Sequence, residues 1–322
     1  MTASTGLEMN ERAWALADQC EQRAAELRVA VQTLASGSRV IDAGVAVPGG
    51  HDAGLMLADI CMGGLGRTSY VPVAIGGDTW PGIEVSTDRP MESCMASQYA
   101  GWIIDPPGFF AMGSGPLRAK ARVEQELFAK LGYVEQASRG VLVLETRTLP
   151  TDAVAEWVAS KADVATTALT FVVAPTASLA GGVQIAARVL ETGLHKMDTI
   201  GFDVTRVVSA IGTAPLATTA SNDVRAIGRT NDCILYGGQA RYVVRAADDE
   251  LIDLAARIPA SASPDYGTPF RDIFKRYGGD FYKIDPMLFS PAEVWLTSAT
   301  SGRTFHGGRL NADVLRASLL DD

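Results

Sequence analysis

In the stretch AARVLETGLHKM, residues 186–197, an arginine and a glutamate stand three positions apart inside an otherwise apolar run. Helical spacing puts Gln184, Arg188, Glu191 and His195 on one face, while Val183, Ala187, Leu190, Leu194 and Met197 take the others. Two readings follow. The polar stripe is a solvent face, and Arg188–Glu191 an ordinary ion pair contributing about 0.2–0.5 kcal/mol. Or the stripe faces a cleft, where Arg188 orients an anionic or carbonyl group and Glu191 activates a water. A carboxylate works as a general base only when burial or a neighbour tunes it, and a nearby Arg188 would keep Glu191 ionised. The face alone leaves both readings open.

Other stretches offer polar groups to a ligand. FFAMGSGPLRAKAR, residues 109–122, is a glycine turn entering a helix, with Pro116 suited to a first helical position. Ser114, the turn amides and Arg118 could cradle an anion there, and a plain helix start explains the same residues. Neither a P-loop nor a dinucleotide fingerprint is present. PTASLAGG, residues 175–182, leads a strand into a helix, so Thr176 and Ser178 are either caps or ligand hydroxyls. GRTNDCILYGG, residues 228–238, places Arg229, Thr230, Asn231 and Asp232 at a loop-to-strand junction, where ligand contacts and Asx-turns are both common. FYKIDPMLFSPAEVW, residues 281–295, brings together Phe281, Tyr282, Leu288 and Phe289, which are either core residues or a wall for a flat heterocycle. Ser93 and Cys94 have no partner base in the pattern, which argues against a nucleophilic triad.

These groups need a sizeable scaffold, and the chain can supply one. It has 322 residues, 47% apolar and 20% charged, so it is long enough for one large domain or two ordinary ones. A net charge of -9 argues against a general nucleic-acid binder but leaves room for a local basic pocket. No CxxC pair and no close histidines occur among Cys20, Cys61, Cys94, Cys233, His51, His195 and His306, so no metal site is expected. The N-terminus shows no signal pattern and no stretch is long and apolar enough to span a membrane. A cytoplasmic protein with reduced cysteines is the expectation.

Periodicity predicts a long amphipathic helix over 8–36, a strand from Val40 to Val47, and short strands between glycine turns over 51–90. Helices are expected at 91–104, 116–131 and 151–161, the last capped by Thr151, and strands at 141–145 and 169–174. Beyond the 186–197 helix come one or two short strands and a Gly-Thr-Ala-Pro turn in 202–219. A hairpin follows, pairing Asp232–Tyr236 with Arg241–Val244 around Gly237-Gly238. Helices near 248–258 and 269–277, a strand at 292–297 and a helix at 311–319 capped by Asn311 complete the chain. The mixture predicts an α+β, or mixed α/β, protein of two closely joined lobes. The expected division is 1–135 and 136–322, with the C-terminal tail a candidate to complete the first lobe.

Several of these stretches together resemble one family, the methenyltetrahydromethanopterin cyclohydrolases. They are SCMASQYAGW, MGSGPLRA, the run from Val172 to Lys196, GRTNDCILYGG and FYKIDPMLFSPAEV, and the likeness extends roughly from Cys20 to Leu315. The resemblance implies an enzyme that adds water to the cyclic amidine of 5,10-methenyltetrahydromethanopterin and opens it to the 5-formyl product. It implies no metal or prosthetic group, two α/β lobes with a cleft between them, and a trimer. Bacterial members of the family use the dephosphorylated carrier in formaldehyde oxidation. The family's catalytic glutamate follows a substrate-binding arginine by three positions, which matches Glu191 and Arg188 here. Ser114, Arg118, Thr176, Ser178, Gln184, Arg229, Asn231 and Phe289 are the substrate contacts expected around them. A related enzyme on a tetrahydrofolate carrier, a non-catalytic pterin-binding protein and a structural subunit are the alternatives.

Overall fold

The structure, a computed structural model, describes residues 7–280 and 283–320. Phe281 and Tyr282 therefore lie outside the described residues. The chain falls into two compact units. The first takes the chain up to Gly66 together with Met91–Gln184, and the second takes Arg67–Pro90 and the chain from Ile185 onward. The expected division at 135/136 is corrected. Strands on both sides of that point pair in one sheet, and the C-terminal helix belongs to the second unit.

The first unit opens with helix α1 (Met9–Gln22) and a short α2 (Ala24–Leu27). The single helix expected over 8–36 stops here because Arg28 turns left-handed at φ 59. Arg28 N donates to Ala25 O and Val29 N to Ala24 O, the pairing of a Schellman end. The chain then forms β1 (Ala30–Thr33), antiparallel to β2 (Arg39–Asp42). Helix α3 (His51–Cys61) replaces the short strands expected there. Its Gly54 misled the reading. A Cβ at Gly54 would come within 2.5 Å of Val183 Cβ, so close packing demands a glycine that helix propensity disfavours.

Residues 91–98 form a π-helical segment (Met91–Gln98), followed by β5 (Trp102–Ile104) and β6 (Ala111–Ser114); β3 and β4 belong to the second unit. The helix expected over 116–131 is broken into α4 (Leu117–Ala121) and α5 (Gln125–Leu131) by Arg122 at φ 50. Then come β7 (Gly140–Glu145), α6 (Asp152–Ala162) and β8 (Leu169–Val173). Thr151 precedes α6 without a side-chain cap bond. Asp152 instead accepts from Ser36 N at 2.6 Å.

The first sheet runs β1-β2-β8-β7-β6-β5, with β2, β8 and β7 mutually parallel. Alternation along β7 sends Val141 and Val143 into a core with α1 and α3, and Leu142 and Leu144 into another with α6. The sheet is thus buried on both faces. Asn10, fully buried on α1, ties the layers together: its Nδ2 donates to Pro116 O at 3.0 Å and its Oδ1 accepts from Val141 N at 3.0 Å.

The second unit contains β3 (Gly66–Ile75), β4 (Asp78–Thr87) and β9 (Val207–Pro215). The expected Gly-Thr-Ala-Pro turn lies inside β9, because β9 is a central strand paired on both sides. Helix α9 (Asp223–Gly237) follows, then β10 (Gln239–Val244). The predicted 232–244 hairpin is therefore wrong. Asn222 Oδ1 accepts from Arg225 N and starts a helix, and Gly237 closes it against Pro215 and Leu315 rather than turning a hairpin. Helices α10 (Asp248–Arg257) and α11 (Phe270–Arg276) and strand β11 (Glu293–Ser298) lie where expected. Strand β12 (Thr304–Gly308) was not anticipated, and α12 (Ala312–Leu320) starts at Asn311, whose Oδ1 accepts from Val314 N. The sheet order is β12-β11-β10-β9-β4-β3. Helices α9, α11 and α12 share one apolar cluster around Tyr236, Phe270 and Leu315.

Replacing Asn10 with Ala should cost about 2–4 kcal/mol, because two buried backbone groups lose their partner. Urea unfolding of Asn10→Ala checks this as a lower midpoint at unchanged slope.

Candidate active site

Ser178 starts helix α7 (Leu179–Ala186): Gly181 N donates to Ser178 Oγ at 3.0 Å, and Ser178 Oγ donates to Pro175 O at 2.7 Å. The chain leaves α7 at Ala187 and resumes as α8 (Val189–Thr199), with Arg188 at the N-cap position. The continuous stripe expected from Gln184 to His195 is therefore split between two helices. Gln184 sits on the first, and Arg188, Glu191 and His195 on the second.

Arg188 and Glu191 do not face solvent. They are 7% and 5% exposed, with Nη1 and Oε2 3.6 Å apart. The solvent-face reading is overturned. Glu191 lies in the first turn of α8, where the helix dipole favours a negative group. Two nearly buried opposite charges at this distance form an arrangement that protein interiors hold only when both are paired.

The start of α8 is held by glycines and one tyrosine. A Cβ at Gly212 of β9 would reach Leu190 Cδ2 at 2.7 Å, and one at Gly193 would reach the Tyr242 hydroxyl at 2.1 Å. Tyr242, buried on β10, donates from its hydroxyl to Leu190 O at 3.0 Å. Helix and sheet therefore meet backbone to side chain just beside Glu191, which fixes where the carboxylate sits.

Further along α8, Lys196 is 1% exposed. Its Nζ donates to Pro259 O at 3.0 Å and to Met287 O. Burial lowers its pKa to about 8, with Asp285 opposing the shift. Sequence reading passed over Lys196. The only signal was a lysine between Leu194 and Met197 in a helix otherwise apolar on that side.

The remaining expected contacts are scattered over both units. Ser114 is buried, with Oγ 3.3 Å from Cys61 Sγ. Arg118 is fully enclosed. Its Nη1 donates to the carbonyls of Met95, Ala96 and Ser97 at 3.2, 3.4 and 3.3 Å, and its Nη2 pairs with Glu124 at 2.8 Å. Tyr99 and Phe128 flank its guanidinium. This arginine closes the end of the π-helical segment, with its charge enclosed by protein.

Thr176 donates to Glu145 Oε1 at the carboxyl ends of the parallel strands β8 and β7. Beside them, after β2, Asp42 Oδ1 accepts from Gly44 N and Val45 N and Oδ2 from Ala46 N. Loops at this edge of a parallel sheet are the usual place for ligands. The sequence reading missed Asp42 and Glu145, although a carboxylate ending the apolar run VLVLE was visible. Arg229 and Asn231 lie on α9, not on a loop. Arg229 Nη1 donates to Thr219 O at 2.8 Å and Asn231 Nδ2 to Ile227 O at 2.8 Å. Phe289 packs 5.8 Å from Phe270 at the border of an apolar cluster.

A nearly buried carboxylate beside a guanidinium, seated rigidly at a helix start, defines a class of site that moves a proton and orients a polar substrate. A family model described as a cyclohydrolase (MCH) matches residues 8–319. Relatives named methenyltetrahydromethanopterin cyclohydrolase include that of Methylobacillus flagellatus, 47% identical over 293 residues covering 91% of this chain and 89% of the relative. That of Methylobacterium organophilum is 45% identical, covering 91% of each chain. That of Methanococcoides burtonii is 40% identical over 97% of this chain and 98% of its own length. The chain belongs to the methenyltetrahydromethanopterin cyclohydrolase family.

Away from Arg188 and Glu191, α9 carries a separate electrostatic signature. Asp232 is fully buried, accepting from Phe270 N at 2.8 Å and Ser318 Oγ at 2.5 Å, and burial raises its carboxyl to about 7. Its folded value lies above its unfolded one, so the folded state holds the extra proton between about pH 4 and 7. This group's contribution is fully present below that window and is lost as pH rises through 7. Asp232→Asn should therefore flatten the fall in stability across this window, by an amount on the order of a few kcal/mol. Urea midpoints at pH 5 and 7.5 measure it; an unchanged difference between them rules the account out.

Proposed function

We propose that this protein hydrolyses the cyclic amidine of 5,10-methenyltetrahydromethanopterin to the 5-formyl compound, with Glu191 as proton acceptor and donor and Arg188 as its orienting partner. The observation that carries the reading is the nearly buried Arg188–Glu191 pair, 3.6 Å apart, within the span that matches the cyclohydrolase family.

The chemistry asks for little more than a placed base. The methenyl carbon is electrophilic because positive charge is shared over its two nitrogens. As water attacks, a new C–O bond forms and one water proton passes to Glu191. The carboxylate also stabilises the cation before attack. Protonated Glu191 then returns that proton to the leaving nitrogen N10; as the C–N10 bond breaks, the intermediate's hydroxyl gives up its own proton to Glu191 and becomes the carbonyl of the formyl group on N5. Glu191 passes this proton to solvent, so the methenyl cation and water yield the neutral formyl compound and one released proton. Arg188 keeps Glu191 in place and orients the pterin or its carbonyl group.

Thr176, Gln184, Arg229, Asn231 and Phe289 are the side chains we assign to substrate contact. Ser114 and Ser178 join them as expected contacts, Ser178 also capping the start of α7. The dephosphorylated carrier, a role in formaldehyde oxidation, a homotrimeric assembly and a cytoplasmic location complete the reading. Its support is the resemblance of the long motifs.

Loss of the conjugated amidine absorbance, followed against the spontaneous rate, tests the reaction. Wild-type protein should bleach the methanopterin compound rapidly and the tetrahydrofolate analogue poorly. Glu191→Gln should fold normally and lose about 10²–10⁴ in turnover. Near-normal turnover in that variant would remove Glu191 from the mechanism.

A further inference from the structure

We infer, resting on the roles given above to Glu191 and Phe289, that Lys196 is a positioning residue for substrate binding. Its buried ammonium pins the turn that carries Phe289 to α8, the helix that carries Glu191, and so holds the aromatic wall in a fixed place relative to the base. Gly193 and Lys196 stand three positions apart on α8 and share a face. Both meet one short segment of chain. A Cβ at Gly193 would lie 3.3 Å from Pro291 Cδ, and Lys196 Nζ donates to Met287 O. Between these two contacts stand Leu288, Phe289 and Ser290.

The segment opens with a single turn of 3₁₀ helix (Pro286–Leu288), started by Asp285, whose Oδ1 accepts from Met287 N at 3.0 Å. So short a turn closes few bonds of its own: Leu288 N donates to Asp285 O at 3.0 Å and Phe289 N to Pro286 O at 3.4 Å. Its seat on α8 comes from the lysine. The same ammonium donates to Pro259 O at 3.0 Å, and next to it Ala260 N donates to Pro291 O at 3.0 Å. One side chain thus joins α8, the chain just after α10 and the Phe289 turn. Lys196 is 1% exposed, and an ammonium so deep is tolerated only where carbonyls or carboxylates receive its protons. Asp285 opposes the loss of its charge, and a pKa of about 8 leaves it protonated at neutral pH. Phe289 itself is half-buried, its ring tilted 60° to that of Phe270 at 5.8 Å. Phe270 orients the ring; Lys196 locates the backbone that bears it. Glu191 and Lys196 are five residues apart on one rigid helix, roughly 7.5 Å along its axis, so whatever is fixed to the lysine is fixed relative to the carboxylate.

Lys196→Met fills the same space without a donor. The expected result in the full-length protein is a KM for the methenyl compound raised about tenfold, with kcat within about threefold of wild type. Phe289→Ala should raise KM by a similar factor, and adding Lys196→Met to it should raise KM little further, because both substitutions remove one contact. A lysine that only stabilises the fold would lower the unfolding midpoint and leave KM unchanged, or raise KM independently of Phe289; either result overturns the proposal. Circular dichroism verifies that each variant is folded. Should Lys196→Met fail to fold, the shorter and uncharged Lys196→Gln is measured in its place with the same expectation. A second readout needs no turnover. Fluorine NMR of protein carrying para-fluorophenylalanine follows position 289 directly, its resonance assigned by its loss in Phe289→Leu. The Lys196 variant should shift or broaden that resonance, and an unmoved resonance overturns the proposal. Should wild-type protein fail to consume the methenyl compound, the reading of Glu191 falls, and the resonance alone then decides whether Lys196 holds the turn.

Discussion

Two opposite charges kept almost out of water, Arg188 and Glu191, set the terms for the second unit around them. Burial of either one alone would be costly, and at 3.6 Å each offsets much of the other's lost hydration. Such a pair is useful only if it cannot drift. The seat beneath it is accordingly built without slack. Gly193 and Gly212 remove side chains where α8 meets the sheet, and the Tyr242 hydroxyl bonds directly to a carbonyl one residue before Glu191. Lys196 fastens the far half of the same helix to the carbonyls of Pro259 and Met287.

The first unit solves a different problem with similar means. Its three parallel strands must be buried on both faces, so β7 and β8 read as nearly continuous apolar runs and, with Val40 and Ile41 of β2, alternate between two cores. Polar groups are then confined to the strand ends, where Asp42, Glu145 and Thr176 gather. Arg118 shows the other use of a buried charge. It spends its donors on the carbonyls that a π-helical segment leaves exposed, and so allows an irregular helix to sit in the interior.

Much of this was legible before any coordinates. Strands 140–145 and 169–173, and helices α6, α10, α11 and α12, were placed within a residue or two, because each has a clear period and clear ends. The failures share a cause. Gly54 in α3 and Gly237 in α9 fell in stretches read as glycine turns, but they mark places where another element comes too close for a side chain. Local pattern carries no information about what approaches from elsewhere. The left-handed Arg28 and Arg122 were invisible for the same reason, since ordinary residues take that conformation only when the surroundings require it.

By itself the sequence determined the spacing of Arg188 and Glu191, the long motifs that mark the family, and the mixed α/β character of the chain. Residue order and type suffice for those, because they depend on neighbours along the chain. Only the tertiary structure decided that the pair is buried rather than solvated, that Arg118 is a structural clamp, and that Lys196 joins α8 to the turn carrying Phe289. Burial and convergence are properties of packing between distant segments, and no local period encodes them.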